Sequence, residues 1–116
     1  KTGERAGCIS AAGVFDAVGN VWEWTNDDVF DGSYNGRALP VEGYVRQVDR
    51  GGIATVSGTS SAELFGEDYI WSKETGVYAI MRGGFYASKD DAGVYAVHAA
   101  TLPTMRGAAI GFRCVQ

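Results

Sequence analysis

Glycine is the residue type that most constrains what this chain can fold into. The 116 residues include 17 glycines and only two prolines, so glycine makes up about 15% of the chain against a usual share of about 7%. Glycine supplies tight turns at positive φ and weakens the interior of a helix. No long helical pattern runs between these glycines. The composition therefore predicts a loop-rich fold whose short strands end at glycine.

The length and the charge limit the classes of protein to which the chain can belong. A length of 116 residues fits one domain, and 46% hydrophobic side chains are enough to build a core. Ten Lys and Arg against fourteen Asp and Glu give a net charge of −4. This balance argues against a nucleic-acid partner. No apolar run approaches the ~20 residues of a membrane-spanning helix, so we expect no direct membrane insertion.

Alternating apolar and polar residues predict several short strands. The predicted strands are Val21–Thr25, Tyr44–Asp49, 77–82, 93–99 and 109–115. In the first of them, Trp22 and Trp24 share one face and Glu23 points to the other. Residues 53–66 are rich in Ser, Thr and Gly, which predicts a surface loop with one helical turn near its end.

The two cysteines, Cys8 and Cys114, lie near opposite ends of the sequence. One intramolecular disulfide would close a loop of about 107 residues and bring the ends together. Two free buried thiols are the alternative, and the spacing alone leaves both open. Neither CxxC nor Cys-His spacing is present, so a zinc site is not expected.

Three segments resemble the formylglycine-generating enzyme family, the sulfatase-modifying factors, which have a variant C-type lectin fold. Residues 13–24, GVFDAVGNVWEW, match the family block G-hydrophobic-aromatic-D-x-x-G-N-x-W-E-W. Residues 82–84, RGG, and 110–114, IGFRC, match its RGGSW and GFRC segments in the same order. The resemblance implies a single α+β, C-type lectin-like domain over residues 1–116, which is loop-rich and has small antiparallel sheets. It also implies that Trp22 and Trp24 are largely buried.

The resemblance also implies features at both ends of the chain. The family's upstream half is missing and the chain starts at Lys1 without Met, so we expect it to be the C-terminal part of a longer polypeptide. The missing N-terminal part would then be a partner. The family pattern of a Cys just ahead of the first block favours the Cys8–Cys114 disulfide.

A calcium ion sits at the first block in the family that the chain resembles. The matching ligands here are the side chain of Asp16, the carbonyls of Gly19 and Val21, and the carboxylate of Glu23. Two carboxylates and two carbonyls around a glycine turn suit a hard cation. The alternative is that Glu23 binds backbone amides and no metal is held.

The family's oxidase chemistry needs a pair of cysteines between the RGG and GFRC segments. Residues 85–109, FYASKDDAGVYAVHAATLPTMRGAA, contain no Cys. Related iron sites use three histidines, whereas His98 is the only histidine of the chain. We therefore expect no catalytic residue, although an oxidase relative stays an alternative.

A second group with this fold, the variable proteins of diversity-generating retroelements, keeps the RGG and IGFR ends and diversifies the interval between them. Their mutagenesis falls on template adenines, so Asn codons never become Lys, Met, Trp, Glu or Gln. In residues 85–109 only Lys89 and Met105 lie outside the reachable set. This resemblance makes residues 82–113 the candidate variable region.

The likeness to variable proteins predicts a ligand-binding surface made of interval side chains. An undiversified lectin-like adhesin or structural domain is the main alternative. The expected ligand is a protein or a cell-surface molecule, and the expected location is extracellular, on the cell surface or on a virion. The candidate ligand-binding residues are Phe85, Tyr86, Ser88, Asp90, Tyr95, Val97, His98, Thr101 and Leu102.

Overall fold

The computed structural model describes residues 9, 11 and 18–112, and this part of the chain is almost entirely β-structure. Two single-turn 3-10 helices, Glu63–Phe65 and Lys89–Asp91, interrupt the strands. The strands are β1 (Trp22–Phe30), β2 (Ser33–Tyr34), β3 (Arg37–Ala38), β4 (Gly43–Val48), β5 (Ala54–Gly58), β6 (Tyr69–Ser72), β7 (Val77–Arg82), β8 (Val97–Thr101) and β9 (Ile110–Gly111).

The expected α+β class is wrong, because strands account for 45% of the structure and helical residues for 6%. The helical part of that expectation came from the family resemblance and not from the residues of this chain. The glycine content itself indicates short elements, and eight glycines in the described part have a positive φ. No helix among the residues described is long and apolar enough to cross a membrane.

The strands form one mixed sheet and not several small antiparallel ones. Its order is β3-β2-β1-β7-β8-β6-β4-β5, and β9 also pairs with β1. Most neighbours are antiparallel, but β6 pairs with β8 and β1 with β9 in parallel. The sheet curls into half a barrel.

The strand predictions succeed where the alternation is regular. Residues 77–82 are β7 as predicted, whereas the strand expected at 93–99 lies at 97–101. The predicted loop at 53–66 is wrong in its first half, because β5 pairs there with β4. Strand β1 continues beyond Thr25 through a β-bulge, and the hydroxyl of Thr25 donates to the carbonyl of Ile80 at 3.2 Å.

The two faces of the sheet carry hydrophobic cores of different size. On β7, Ile80 belongs to the larger core and its neighbour Met81 to the smaller one on the opposite face. The larger core consists of Val29, Val45, Ile53, Ala54, Ile70, Ile80, Val97 and Ala99. The smaller one has Trp22, Met81 and Ala96 buried, with Trp24, Trp71, Phe85 and Ile110 packed against it. Trp22 is therefore buried as expected, whereas Trp24 is only half-buried.

The segments that carry the resemblance meet at the N-terminal end of β1. Glu23 lies between Arg82 of β7 and Gly111 of β9 in the sheet register. The N–H of Gly19 also donates to the carbonyl of Gly83 at 3.0 Å. These segments therefore build one scaffold, which the chain leaves at residue 85 and rejoins at β8.

Candidate functional site

An open cleft of about 540 Å³ lies on the face of the sheet with the smaller core. Its base and walls come from β1, β6 and β8, and another side comes from the second 3-10 turn. The lining residues are Trp22, Glu67, Trp71, Ala87, Ser88, Lys89, Asp90, Asp91 and His98. The cleft is thus formed where the interval after the RGG segment passes over the sheet.

The rings of Trp22, Trp71 and His98 pack together and form what we call the aromatic wall of the cleft. Parallel pairing of β6 and β8 places Trp71 beside His98, and their rings stack with centroids 5.6 Å apart at 21°. Trp22 makes a T-shaped contact with both rings, with each centroid 5.6 Å away. Tyr69 extends the row next to Trp71, and Tyr44 follows at 5.1 Å from Tyr69. The wall is therefore part of a continuous row of aromatic rings from four strands, β1, β4, β6 and β8.

His98 is a neutral hydrogen-bonding group of the aromatic wall. Burial lowers its pKa, and the charge of Lys73 lowers it further. Its Nδ1 lies 2.9 Å from Oγ1 of Thr101, a residue that is only 8% exposed. Because a buried hydroxyl needs an acceptor, we assign its proton to the bond with Nδ1. His98 then carries its own proton on Nε2, the other ring nitrogen.

The 85–91 segment is held in shape by its own backbone and by Ser88. The Ser88 hydroxyl accepts from the N–H of Phe85 at 3.0 Å, and the Ser88 N–H donates to the Phe85 carbonyl at 2.9 Å. The N–H of Asp91 then donates to the Ser88 carbonyl at 3.1 Å. Tyr86 is tied to the scaffold through its N–H, which donates to the carbonyl of Asn20 at 3.2 Å.

Two charged side chains hold residues 93–95, just before β8. The Arg82 guanidinium donates to the carbonyl of Val94 at 3.0 Å, and it also bonds two carbonyls of the 51–52 turn. Asp68, only 7% exposed, accepts from the N–H of Tyr95 at 2.8 Å. Its carboxylate packs directly on Gly93, where any side chain would overlap it. Residues 93–95 are thus held by side chains outside the candidate ligand-binding set.

The lining of the cleft has an excess of negative charge. Glu67, Asp90 and Asp91 contribute three carboxylates, and Lys89 contributes one ammonium group. Within residues 18–112, no ion pair neutralises any of these carboxylates. Since the cleft is open to solvent, the charges are available to a ligand that enters it.

The predicted ligand-binding residues divide between surface and core. Three of them, Ser88, Asp90 and His98, line the cleft. Two more, Tyr86 and Leu102, are exposed. Five of the nine residues are therefore accessible to a ligand.

The other four are wholly or partly in the core. Phe85 and Tyr95 are half-buried and pack against the smaller and the larger core, respectively. Val97 is completely buried and Thr101 almost so. Placing Val97 and Thr101 on a surface was wrong, because Val97 belongs to the larger core and Thr101 is buried beside His98, to whose Nδ1 it is hydrogen-bonded.

Sequence reasoning missed Trp71 and Glu67, which both line the cleft. Glu67 belongs to no motif. Trp71 could have been found from the alternation Tyr69-Ile70-Trp71, which places two aromatic rings on one face and a buried Ile on the other. The pairing of β6 with β8, which brings Trp71 to His98, has no signal in the local sequence.

The predicted calcium and disulfide sites lie partly or wholly outside the residues described. Asp16, Cys8 and Cys114 are outside them, whereas the other three calcium ligands lie in the bend before β1 and in β1 itself. Among residues 9, 11 and 18–112, no three His, Cys, Asp or Glu side chains are grouped to hold a metal. The calcium site, half of whose ligands are carbonyls, stays a prediction, as does the disulfide.

Comparison with known proteins gives one match. A family model described as a sulfatase-modifying factor enzyme 1-like domain matches residues 5–116. No curated protein and no solved structure matches the chain significantly. The match spans the block at residues 13–24, the RGG segment and the IGFRC end.

Proposed function

The chain belongs to the sulfatase-modifying factor enzyme 1-like family, and within it we propose a non-catalytic, ligand-binding protein that displays a diversified surface. The ligand would be a protein or a cell-surface molecule. The binding surface would be the cleft together with the exposed side chains of the interval between the RGG and IGFRC segments. The protein would act outside the cell, on a cell surface or on a virion.

The way the interval is held is the observation that carries this proposal. Arg82, Asp68 and backbone hydrogen bonds fix its conformation. Tyr86, Asp90 and Leu102 are exposed. The polar side chains of Tyr86 and Asp90 make no hydrogen bond within the described region. Exposed side chains that do not hold the fold can vary without unfolding it. A rigid scaffold also presents such side chains at a small entropic cost, as mature antibody loops do.

The sequence supports a role without catalysis. The oxidase chemistry of the family depends on a thiol pair in the interval, and residues 85–109 contain no Cys. His98 is the only imidazole, and its Nδ1 is engaged by Thr101. A Cys-containing sulfatase peptide incubated with the protein should therefore keep its thiol, as judged by mass spectrometry. Conversion of that Cys to an aldehyde would favour the oxidase alternative.

Tolerance to diversification is the experiment that tests the proposed function. A library randomised at Tyr86, Asp90 and Leu102 should remain folded in most members and should yield binders to a model protein such as lysozyme. A control library at the buried positions Ile70 and Ile80 should be mostly unfolded, as judged by protease resistance on the display surface. Loss of folding in both libraries to the same extent would contradict the proposal.

The encoding locus separates a diversified protein from an undiversified adhesin. We expect an adjacent near-copy of codons 82–113 that differs only at adenines, with a reverse transcriptase gene nearby. A locus with neither would leave a lectin-like adhesin or structural domain as the better account, even if the cleft binds a ligand.

A further inference from the structure

We propose that the cleft binds a positively charged side chain, that of arginine or lysine, presented by a protein partner. This inference rests on the proposed function, because it names the chemistry of the ligand that the same cleft would take. It is carried by two independent features of the cleft, the aromatic wall and the unneutralised carboxylates.

The aromatic wall provides flat faces at fixed positions. Trp71 and His98 are neighbours in the β6–β8 pair, and both rings pack against Trp22, which is only 7% exposed. Trp71 and His98 are half-buried, so they are held by the sheet and still reach the cleft. A cation over the face of a Trp ring gains about 0.5–1 kcal/mol at an exposed site and more when it is desolvated.

The charges around this wall favour a cation over an anion. Three carboxylates and one ammonium group line the cleft, and none of the carboxylates is paired within the part of the chain that the structure describes. His98 adds no charge at neutral pH, since burial and then Lys73 lower its pKa. Lys73 itself does not line the cleft, and its ammonium lies over the Tyr78 ring at 5.8 Å.

The size and openness of the cleft suit a side chain that a protein partner presents. A volume of about 540 Å³ exceeds a single guanidinium group and has room for the side chain with part of its backbone. Glu67 and the Asp90–Asp91 pair come from different segments and contribute carboxylates to the same lining. A planar guanidinium can stack on the rings and donate to carboxylates in its own plane, which favours arginine.

The test uses N-acetyl-arginine methylamide as a probe of the 116-residue chain, with N-acetyl-citrulline methylamide as its neutral counterpart. Binding is followed by NMR through the indole N–H signals, because Trp22 and Trp71 line the cleft and Trp24 does not. We expect the arginine probe to shift the two cleft indoles and to bind about tenfold more tightly than citrulline. Raising the ionic strength should weaken the arginine probe only.

Charge-neutralising variants connect the effect to the cleft. The double variant Asp90→Asn/Asp91→Asn should weaken arginine binding about tenfold, and Glu67→Gln should weaken it in the same direction. The control Asp28→Asn/Glu74→Gln removes the same charge at exposed positions outside the cleft lining and should leave binding unchanged. Thermal melting confirms that each variant is folded. Because Glu67 lies outside the second 3-10 turn, Glu67→Gln tests the cleft without changing that turn.

Three results would overturn the inference. Equal binding of both probes at the cleft indoles would remove the charge preference while leaving the cleft as a binding site. No indole shift with the arginine probe would remove cation binding there, and the library experiment would still decide whether the surface binds other ligands. Indole shifts that depend on protein concentration without any probe would make a second copy of the chain the occupant.

Discussion

Gly84, the last residue of the RGG segment, has a conformation and a neighbour that both exclude a side chain. Its φ is +74°, and a Cβ placed there would lie 2.5 Å from the Cβ of Ala92. We expect Gly84→Ala to lower the free energy of unfolding by about 2–4 kcal/mol, from the left-handed backbone and the steric overlap together. Urea denaturation followed by tryptophan fluorescence measures the loss.

Gly36 supplies a matched control for this substitution. Its φ is +77°, but no atom lies within 4 Å of a Cβ placed there. Gly36→Ala should therefore show the cost of the backbone conformation alone, about 1–2 kcal/mol. Equal losses at both positions would mean that the contact with Ala92 does not restrict the start of the interval.

Asp68 gives a second prediction at the scale of one residue, and it concerns pH. Burial raises the pKa of Asp68, although the hydrogen bond from the Tyr95 N–H opposes this. Between the unfolded value, about 3.9, and the raised folded value, the folded state holds more protons than the unfolded state. The contribution of Asp68 to the free energy of unfolding therefore falls as pH rises through this window.

The variant Asp68→Asn keeps an oxygen acceptor for Tyr95 and cannot ionise. Relative to this variant, the wild-type chain should lose stability as pH rises above the unfolded pKa of about 3.9 and should stop losing it above the raised pKa of folded Asp68, as measured by urea denaturation at each pH. Burial acts to raise the pKa of Asp49, but hydrogen bonds from Arg37, Ile53 and Gly51 lower it overall. The stability that Asp49 contributes should therefore rise with pH, opposite to that of Asp68. Parallel pH curves for the wild type and Asp68→Asn would contradict the prediction.

At the scale of elements, Arg82 joins two turns that are far apart in sequence. Its Nη1 donates to the Gly51 carbonyl at 2.8 Å, and its Nη2 donates to Gly52 at 3.3 Å and to Val94 at 3.0 Å. A lysine has one nitrogen and cannot reach three carbonyls in this geometry. We expect Arg82→Lys to lower the free energy of unfolding by about 1–2 kcal/mol.

Arg46 is the matched control for this prediction, since its Nη1 bonds only Ser60, on an exposed part of the surface. Arg46→Lys should change the free energy of unfolding by less than about 0.5 kcal/mol. Chemical denaturation of the two variants under the same conditions makes the comparison. A similar effect of both substitutions would show that the Arg82 contacts do not hold the interval.

The sequence predicts elements correctly where the pattern and the pairing agree. The alternation in VYAIMR identifies β7, because its residues face two cores in turn. The composition of ATVSG predicts a loop, since Ser, Thr and Gly are typical of turns, but β4 supplies the hydrogen bonds that make this segment β5. The polar residues Asn26–Asp28 stay in β1 because β7 pairs beyond the bulge.

At the candidate site too, the sequence predicts what local patterns determine and misses what depends on pairing between strands. The flanking motifs locate the interval, and Ser88, Asp90 and His98 of that interval do line the cleft. Trp71 was missed because its place beside His98 depends on a parallel pairing between β6 and β8. Val97 was wrongly placed on the surface, because the phase of a short strand relative to the core is set by its neighbours.

At the scale of the whole molecule, residues 19–24, the end of β7 and β9 come together at the start of β1. The predicted calcium site uses the turn before β1, with Asp16, Gly19, Val21 and Glu23 as ligands at ~2.3–2.6 Å from the ion. An ion that binds the folded state preferentially stabilises it. We therefore expect calcium to raise the melting temperature relative to a sample with chelator.

Glu23→Gln should abolish this rise, since it removes one of the two carboxylates. Glu74→Gln, at an exposed position outside the predicted ligand set, is the control and should retain it. Calorimetry of the three proteins with calcium and with chelator makes the measurement. The same melting temperature for the wild type in both conditions would favour a metal-free turn in which Glu23 binds backbone groups.

The last prediction concerns the two ends of the chain. The parallel pairing of Trp22 and Glu23 with Ile110 and Gly111 brings distant parts of the sequence together at one end of β1. A Cys8–Cys114 disulfide would close a loop of about 107 residues, which corresponds to about 4–5 kcal/mol when the cross-link restricts the unfolded chain. Reduction should therefore lower the melting temperature, and mass spectrometry should find the two cysteine peptides linked before reduction.

The variants Cys8→Ser, Cys114→Ser and the double variant should be equally destabilised and insensitive to reductant, because either substitution removes the whole cross-link. If the oxidised and reduced proteins melt together, or if the two single losses add in the double variant, the cysteines act as separate thiols.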